Sequence, residues 1–161
     1  MSLGNGFSHV GVSTHDMAQT IFFYEDVLGL QRVVDSLTHV DSGGSVREVY
    51  FSLGDNQYIV FMELQRVPGI PPGYDTSINT ALGVPRGLYH FSFRVPTLEA
   101  LDQLRQRIAT RGVEVSDIID LGHAKSIFFF DPNGLQLEYC CQTRPFNVQD
   151  LQRESTATLA E

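Results

Sequence analysis

The order of strand-like and helix-like segments occurs twice in this sequence, and this repeat constrains the fold more than any other feature. The first copy opens with a short apolar segment at 6–13. Apolar residues then recur every three to four positions over 15–28, which predicts an amphipathic helix that Gly29 ends. Three segments rich in Val, Phe, Tyr and Ile predict strands at 30–35, 46–53 and 58–64. The first copy is therefore predicted as β-α-β-β-β.

The same order returns roughly 80 residues later. Segment 88–95 predicts a strand, and Thr97 is a candidate N-cap for a helix that Gly112 closes. Three further strands are predicted at 113–119, 126–130 and 135–140. Asp131-Pro-Asn-Gly134 has the residue order of a type I turn between the last two. The second copy is again β-α-β-β-β.

These patterns predict an α+β fold with one domain over 1–141. It would comprise module one at 5–66, a linker rich in Pro and Gly at 67–87, and module two at 88–141. The polar tail at 142–161 is expected to be partly disordered or packed on a partner. Because open sheets expose unpaired edges, we expect the modules to pack side by side or to swap between the chains of a homodimer.

Composition narrows the classes of function. Eleven Lys and Arg against nineteen Asp and Glu leave a formal charge of −8, which disfavours nucleic-acid binding. No apolar run reaches the roughly 18 residues that a membrane span requires, and the amino terminus lacks the features of a secretory signal. The two cysteines are the neighbours Cys140 and Cys141, which excludes a disulfide framework and favours a reducing, cytoplasmic setting.

Four ionisable residues stand out among those in the predicted strands, where a charge facing the core is costly unless it is paired or bound to a metal. His9 and His90 occupy equivalent places in the first strands of the two copies. Glu138 and Glu63 lie in the last strands of the second and first copies. If a pseudo-twofold axis relates the copies, two imidazoles and two carboxylates converge, and this donor set suits a divalent ion such as Fe, Mn, Co, Ni or Zn.

Two motifs carry a resemblance to a known family. The helix Ile21-Phe-Phe-Tyr-Glu-Asp-Val-Leu-Gly29 and the closing segment Phe130-Asp-Pro-Asn-Gly-Leu-Gln-Leu-Glu138 resemble those of the vicinal oxygen chelate superfamily over about residues 5–141. That superfamily includes glyoxalases, methylmalonyl-CoA epimerase, extradiol dioxygenases and the fosfomycin- and bleomycin-resistance proteins. The resemblance implies a curled mixed sheet that forms a metal-binding cup around one ion. It also implies a small substrate that chelates this ion through two neighbouring oxygens.

The resemblance leaves three activities open. In a glyoxalase- or epimerase-like lyase or isomerase, which we favour, Glu63 would be the fourth ligand and the catalytic base. In an extradiol catechol-type dioxygenase, two histidines and one carboxylate would hold Fe(II). His123 would then be a second catalytic candidate. Phe128, however, lies at the position where such enzymes carry a Tyr. A bleomycin-resistance-type binding protein would need no metal set.

Cationic side chains near the predicted site suggest how an anionic substrate group would be held. Arg47 and Arg94 lie in predicted strands, and either can face the cup and bind a carboxylate or phosphate. Lys125 is the only lysine in the chain and is a further candidate.

Overall fold

The computed structural model describes residues 6–151 as two compact units, each built around one four-stranded mixed sheet. Of the described residues, unit one contains those up to Tyr89 together with Asp131–Leu135. Unit two contains His90–Phe130 and the described residues from Gln136 onward. Each unit has the strand and helix order β-α-β-β-β in its main part, which confirms the predicted α+β fold of two βαβββ modules.

Unit one has the strand order β1-β4-β3-β2, with β1 parallel to β4 and the other pairs antiparallel. Its elements are β1 at His9–Thr14, α1 at Met17–Phe22, β2 at Arg32–His39, β3 at Ser45–Gly54, β4 at Gln57–Gln65 and α2 at Ile78–Ala81. One face of the sheet is covered by α1. The strand order leaves β1 and β2 as the two edge strands.

The first predicted helix is shorter than its apolar pattern, and it changes type along its length. Asp16 caps α1 by accepting a hydrogen bond from the Gln19 N–H at 2.9 Å. After Phe22 the backbone becomes π-helical over Phe23–Val27. Gly29 follows with a φ of +80°, a left-handed conformation that favours glycine, and the helix ends there as expected.

An aromatic cluster forms the core of unit one. Tyr24 is fully buried, and its ring lies 5.1 Å from that of Phe51 and 4.7 Å from that of Phe61. Because Phe51 and Phe61 lie on β3 and β4, their buried side chains identify the sheet face that packs against the helix.

Unit two repeats the arrangement with the strand order β5-β8-β7-β6. Its elements are β5 at Phe91–Arg94, α3 at Leu98–Thr110, β6 at Ile119–Asp120, β7 at Ala124–Phe130, β8 at Gln136–Gln142 and a 3₁₀ helix at Val148–Leu151. Thr97 caps α3 as predicted, by accepting from the Ala100 N–H at 3.1 Å. Leu101 and Ile108 of α3 are fully buried.

The predicted strand at 113–119 is reduced to the short strand Ile119–Asp120 and an isolated bridge between Val115 and Phe129. The Ser116 N–H donates to the Phe128 carbonyl at 2.9 Å, as in a ladder, but side chains take part in the other hydrogen bonds of Ser116. The Phe128 N–H donates to Ser116 Oγ at 2.9 Å, and the Arg105 Nε–H donates to the Ser116 carbonyl at 2.9 Å. A residue whose own hydroxyl and carbonyl are engaged in this way interrupts a regular strand.

Segment 67–87 is mostly irregular, as expected, but it includes α2 and is tied to unit one by side chains. Thr76 and Ser77 donate to the carbonyls of Asn133 and Gly134, each at 3.0 Å. Asn79 bonds both the N–H and the carbonyl of Tyr89. Of the predicted tail, residues 152–161 lie outside the described part of the chain. Within residues 6–151, no helix is long and apolar enough to cross a membrane.

Candidate functional site

His9 lies on the face of the first sheet that α1 does not cover. It pairs with Tyr58 in the parallel β1–β4 ladder, and paired residues in parallel strands share a face. Because side chains alternate along a strand, Val60 and Met62 lie on this face as well. The His9 side chain is exposed, and its ring centroid lies 6.1 Å from that of Tyr50. We call this the open face of unit one.

Glu63 lies on the opposite, helix-covered face of the same sheet. It pairs with Thr14, which is fully buried and whose hydroxyl lies 2.9 Å from that of Thr20 in α1. One Glu63 carboxylate oxygen accepts the Met17 N–H at 3.1 Å, at the first residue of α1. The structure therefore does not bring Glu63 to the face that carries His9, and its observed role is to bind the start of the helix.

The pairing of the strands shows that Glu63 is not the equivalent of Glu138. Glu138 pairs with Ser92, two residues after His90. The equivalent place in unit one is opposite Gly11, two residues after His9, and it is occupied by Val60. Glu63 lies three positions after Val60 in β4. The strand register therefore does not give Glu63 and Glu138 equivalent positions, contrary to the prediction. A three-residue shift also moves a side chain to the other face of the sheet.

His90 and Glu138 come together in unit two. The His90 Nε2 atom lies 3.3 Å from one Glu138 carboxylate oxygen. Glu138 is buried, with 7% of its side chain exposed, whereas the His90 side chain is 37% exposed. The ring of Phe128, which pairs directly with Glu138, lies 6.1 Å from that of His90 in an edge arrangement. We call the face that carries this pair the open face of unit two, because Phe93, Phe129 and Tyr139 pack together on the other face.

The chemistry of these donors fits a divalent ion, since imidazole nitrogen and carboxylate oxygen are its usual protein ligands. His90 and Glu138 supply two such donors on one face, and the orientation of the nearly buried Glu138 carboxylate is restricted by its neighbours. His9 has the corresponding place on the open face of unit one. Residues 6–151 contain no preformed group of three or more His, Cys, Asp or Glu side chains for a metal ion. The complete ligand set therefore remains a prediction.

His123 lies away from the His90–Glu138 pair. The neighbouring Ala124 pairs with Gln142, four residues beyond Glu138, which corresponds to about 13 Å along the strand. The His123 ring packs against Phe146 at 5.0 Å between centroids. The structure thus places His123 beside the start of the tail, where its contacts are structural.

Glu48 is a carboxylate on the open face of unit one that the sequence reasoning missed. It pairs with Met62, which shares its face with Tyr58 and hence with His9. Its side chain is half-buried and, within residues 6–151, forms no hydrogen bond or ion pair. The signal was present in the sequence, since β3 alternates apolar Val49 and Phe51 with polar neighbours.

The three cationic candidates have different surroundings. Arg47 lies on the helix-covered face and donates two hydrogen bonds to Asp35, both at 2.9 Å. These bonds hold the pKa of the Asp35 carboxyl below its usual value. Lys125 lies 3.5 Å from a carboxylate oxygen of Asp120. Arg94 pairs with Cys140 and so shares the open face of unit two with Glu138.

Comparisons with known proteins agree with this architecture. A solved glyoxylase/bleomycin resistance protein/dioxygenase domain from Frankia sp. EAN1pec is 24% identical, with a TM-score of 0.67 over 86% of this chain and 98% of that chain. A genomically encoded fosfomycin resistance protein from Listeria monocytogenes is 20% identical, with a TM-score of 0.60 over 88% and 96% of the two chains. A lactoylglutathione lyase from Agrobacterium tumefaciens is 19% identical, with a TM-score of 0.61 over 87% and 96%.

These similarities to solved structures establish the fold. No curated protein matches the sequence significantly. The family model described as the Glyoxalase/Bleomycin resistance protein/Dioxygenase superfamily matches residues 6–139, which is most of the chain. The resemblance to the vicinal oxygen chelate superfamily is thereby confirmed, and the chain belongs to the Glyoxalase/Bleomycin resistance protein/Dioxygenase superfamily.

Proposed function

We propose that the chain is a metal-dependent lyase or isomerase that binds a small substrate through two neighbouring oxygens and moves a proton next to a carbonyl group. The observation that carries this proposal is the His90–Glu138 pair, in which a nearly buried carboxylate and an imidazole share one face. Such a pair is costly to bury without a partner and is well suited to hold a cation. Family membership supports a small-molecule ligand.

In this proposal, His9, His90 and Glu138 hold the ion. Glu63 is left out of the ligand set because its carboxylate binds the Met17 N–H on the other face. A bound divalent ion would draw electron density from the two substrate oxygens and so stabilise negative charge on them. Three protein ligands leave coordination positions for those oxygens, as catalytic sites require.

Neither half-buried carboxylate of unit one is proposed as the proton acceptor. Glu63 lies on the helix-covered face and binds the Met17 N–H. Glu48 pairs with Met62, four residues beyond the Tyr58 that pairs with His9, which corresponds to about 13 Å along the strand. Because a general base must lie within hydrogen-bond reach of the proton that it takes, the proposal assigns acceptance and return of the proton to solvent water.

Deuterium exchange tests the proposed chemistry. The metal-loaded protein is incubated in D₂O with a panel of 2-hydroxycarbonyl and 1,2-dicarbonyl compounds, and NMR follows exchange at the carbon next to the carbonyl. Glu138→Gln is expected to lower the exchange rate by about 100-fold or more, because the ion that would stabilise the substrate anion is no longer held.

Glu63→Gln and Glu48→Gln are the matched controls, since both residues are half-buried carboxylates of the first sheet that the proposal leaves out of the site. Both variants are expected to retain most of the exchange activity. Exchange that is equally fast in wild type and Glu138→Gln would refute the role of the His90–Glu138 pair. No exchange with any compound would refute the isomerase proposal.

One observation favours a dioxygenase as the second candidate. Without Glu63, the proposed set is two histidines and one carboxylate, which is the ligand set of many Fe(II) oxygenases. Phe128 pairs directly with Glu138 and offers no hydroxyl there, and His123 lies about 13 Å along the sheet, so these two positions supply no acid or base. Oxygen uptake by the Fe(II)-loaded protein with catechol would favour the dioxygenase over the lyase or isomerase.

The homodimer expected from the sequence is part of this proposal. The edge strand β2 is exposed along its whole length. It presents Val33, Val34 and Leu37 with 44%, 41% and 59% of their surfaces exposed. An exposed apolar edge strand favours pairing with another chain. Sedimentation velocity is expected to give a dimer, and Leu37→Lys is expected to shift it toward the monomer.

A further inference from the structure

We propose that Arg94 binds an anionic group of the substrate, so that the substrate carries a carboxylate or phosphate in addition to its two chelating oxygens. This inference rests on the proposed function above and names the class of substrate that the same site takes. It is argued from the open face of unit two alone.

The strand register places Arg94 beside the His90–Glu138 pair. Glu138 pairs with Ser92, and Arg94 lies two residues further along β5, which corresponds to about 7 Å. Alternation along the strand puts His90, Ser92 and Arg94 on the same face. A substrate bound at Glu138 and His90 therefore has a guanidinium within reach of a group only a few bonds away from its chelating oxygens.

Arg94 is also available for a ligand. Its side chain is exposed and, within residues 6–151, makes no hydrogen bond or ion pair. By contrast, the guanidinium groups of Arg32, Arg47, Arg105 and Arg144 are each bound to a carboxylate of the chain. Arg94 differs from these four arginines because it has no acidic partner within residues 6–151. Its planar fork of donors matches the oxygens of a carboxylate or phosphate.

A second unsatisfied group lies in the same cross-strand row. Cys140 pairs with Arg94 on one side and with Ser126 on the other. The Ser126 hydroxyl is completely buried and has no hydrogen-bond partner within the described part of the chain. Ser126 lies two strands, or about 10 Å, from Arg94. Because buried hydroxyls are normally hydrogen-bonded, this row contains a second polar group whose hydrogen-bonding capacity is unused within the described part of the chain.

The experiment first tests the anion site without a metal. The full-length, metal-free protein is titrated with inorganic phosphate at low ionic strength, and the backbone amide signals of 92–95 are followed by NMR. Two charge-assisted hydrogen bonds predict a dissociation constant of about 1 mM. Arg94→Gln is expected to weaken phosphate binding at least tenfold. Arg111→Gln is the matched control, because Arg111 is also exposed and lies just after α3.

Absence of phosphate-dependent shifts at 92–95, or shifts that persist in Arg94→Gln, would overturn the inference. A second titration links the anion site to the metal. Acetohydroxamate and succinohydroxamate present the same pair of neighbouring oxygens, but only the latter adds a carboxylate. Calorimetry with zinc-loaded protein is expected to show about tenfold tighter binding of succinohydroxamate. Arg94→Gln is expected to abolish that preference and leave the affinity for acetohydroxamate unchanged.

The two titrations separate failure of the inference from failure of the proposed function. Binding of phosphate at Arg94 together with no binding of acetohydroxamate would refute the metal chelate and leave the anion site intact. Binding of acetohydroxamate with no preference for succinohydroxamate in wild type would refute the role of Arg94 in substrate recognition.

Discussion

The buried carboxylate of Asp131 offers a direct test of how the turn between β7 and β8 is held in place. Asp131 is 6% exposed and accepts four hydrogen bonds. One oxygen accepts the backbone N–H groups of Asn133 at 2.9 Å and Leu135 at 2.8 Å. The other accepts the Tyr24 hydroxyl at 3.1 Å and the Asn133 side-chain amide at 3.0 Å. The carboxylate thus joins the turn to the aromatic core of unit one.

Asp131→Ala removes the acceptor of all four bonds. The Asn133 amide keeps its bond to the Thr20 hydroxyl at 3.2 Å, but the Tyr24 hydroxyl and two backbone N–H groups lose their acceptor. Each buried unsatisfied donor costs about 1–3 kcal/mol, and relief from burying a charge offsets part of the sum. We expect a loss of about 3 kcal/mol in the free energy of unfolding. For a chain of this size, this lowers the melting temperature by about 6–12 °C.

The same carboxyl predicts a pH dependence of definite sign. Burial raises the pKa of Asp131 above its ordinary value of 3.8, although the four hydrogen bonds oppose this shift. The folded state then keeps a proton that the unfolded chain has already released. The stabilising contribution of this linkage is complete below about pH 4 and is lost as the pH rises through the raised pKa. The stability advantage of wild type over Asp131→Asn is therefore expected to shrink between about pH 4 and pH 7.

Urea and thermal unfolding, followed by circular dichroism across this pH range, test both expectations. Asp41→Ala is the control, because Asp41 is an exposed turn residue without a hydrogen bond or ion pair within residues 6–151. It is expected to change stability by less than about 0.5 kcal/mol. A melting temperature for Asp131→Ala that matches the control would refute the account of the turn. An advantage over Asp131→Asn that grows with pH would refute the direction of the pKa shift.

Three further predictions concern stability. Tyr24→Phe keeps the ring packing and removes the hydroxyl that binds Asp131, so we expect a loss of about 1 kcal/mol in urea unfolding; no loss would contradict the role of that bond. Thr97→Ala removes the N-cap of α3 and is expected to cost about 1 kcal/mol, with Thr97→Ser retaining most of the stability; equal losses in the two variants would exclude capping as the cause. Asp35→Asn is expected to lower the free energy of unfolding by less than about 1 kcal/mol at pH 7, because the Asp35 side chain is one-third exposed. This loss should vanish as the pH falls below the lowered pKa of Asp35. A loss that persists in acid would contradict the ion pair with Arg47.

Local patterns were sufficient to predict the architecture. The apolar period over 15–28, the N-cap at Thr97 and the turn residues Asp131 to Gly134 each act through short-range physics, and the structure contains the corresponding elements. The π-helical continuation of α1 and the shortened β6 could not be predicted in the same way. Both depend on which partner a backbone or side-chain group finds in the folded chain, as Ser116 shows with its bonds to Phe128 and Arg105.

The candidate site depended on strand register, which the sequence does not fix by spacing alone. His90 and Glu138 were predicted as partners and lie 3.3 Å apart. Glu63 was matched to Glu138 through its place near a strand end, although the ladder puts Val60 at the equivalent position. The alternation that places Glu48 on the open face is visible in the sequence, but the choice of face follows only from its pairing with Met62.

Metal stoichiometry tests the central claim most directly. The full-length protein is stripped with a chelator, reconstituted separately with Fe(II), Mn, Co, Ni and Zn, desalted and measured by mass spectrometry of the elements. Wild type and Glu63→Gln are expected to retain about one equivalent of at least one metal, and Glu138→Gln is expected to retain almost none. Less than about half an equivalent in wild type with every metal, or full occupancy in Glu138→Gln, would contradict the account.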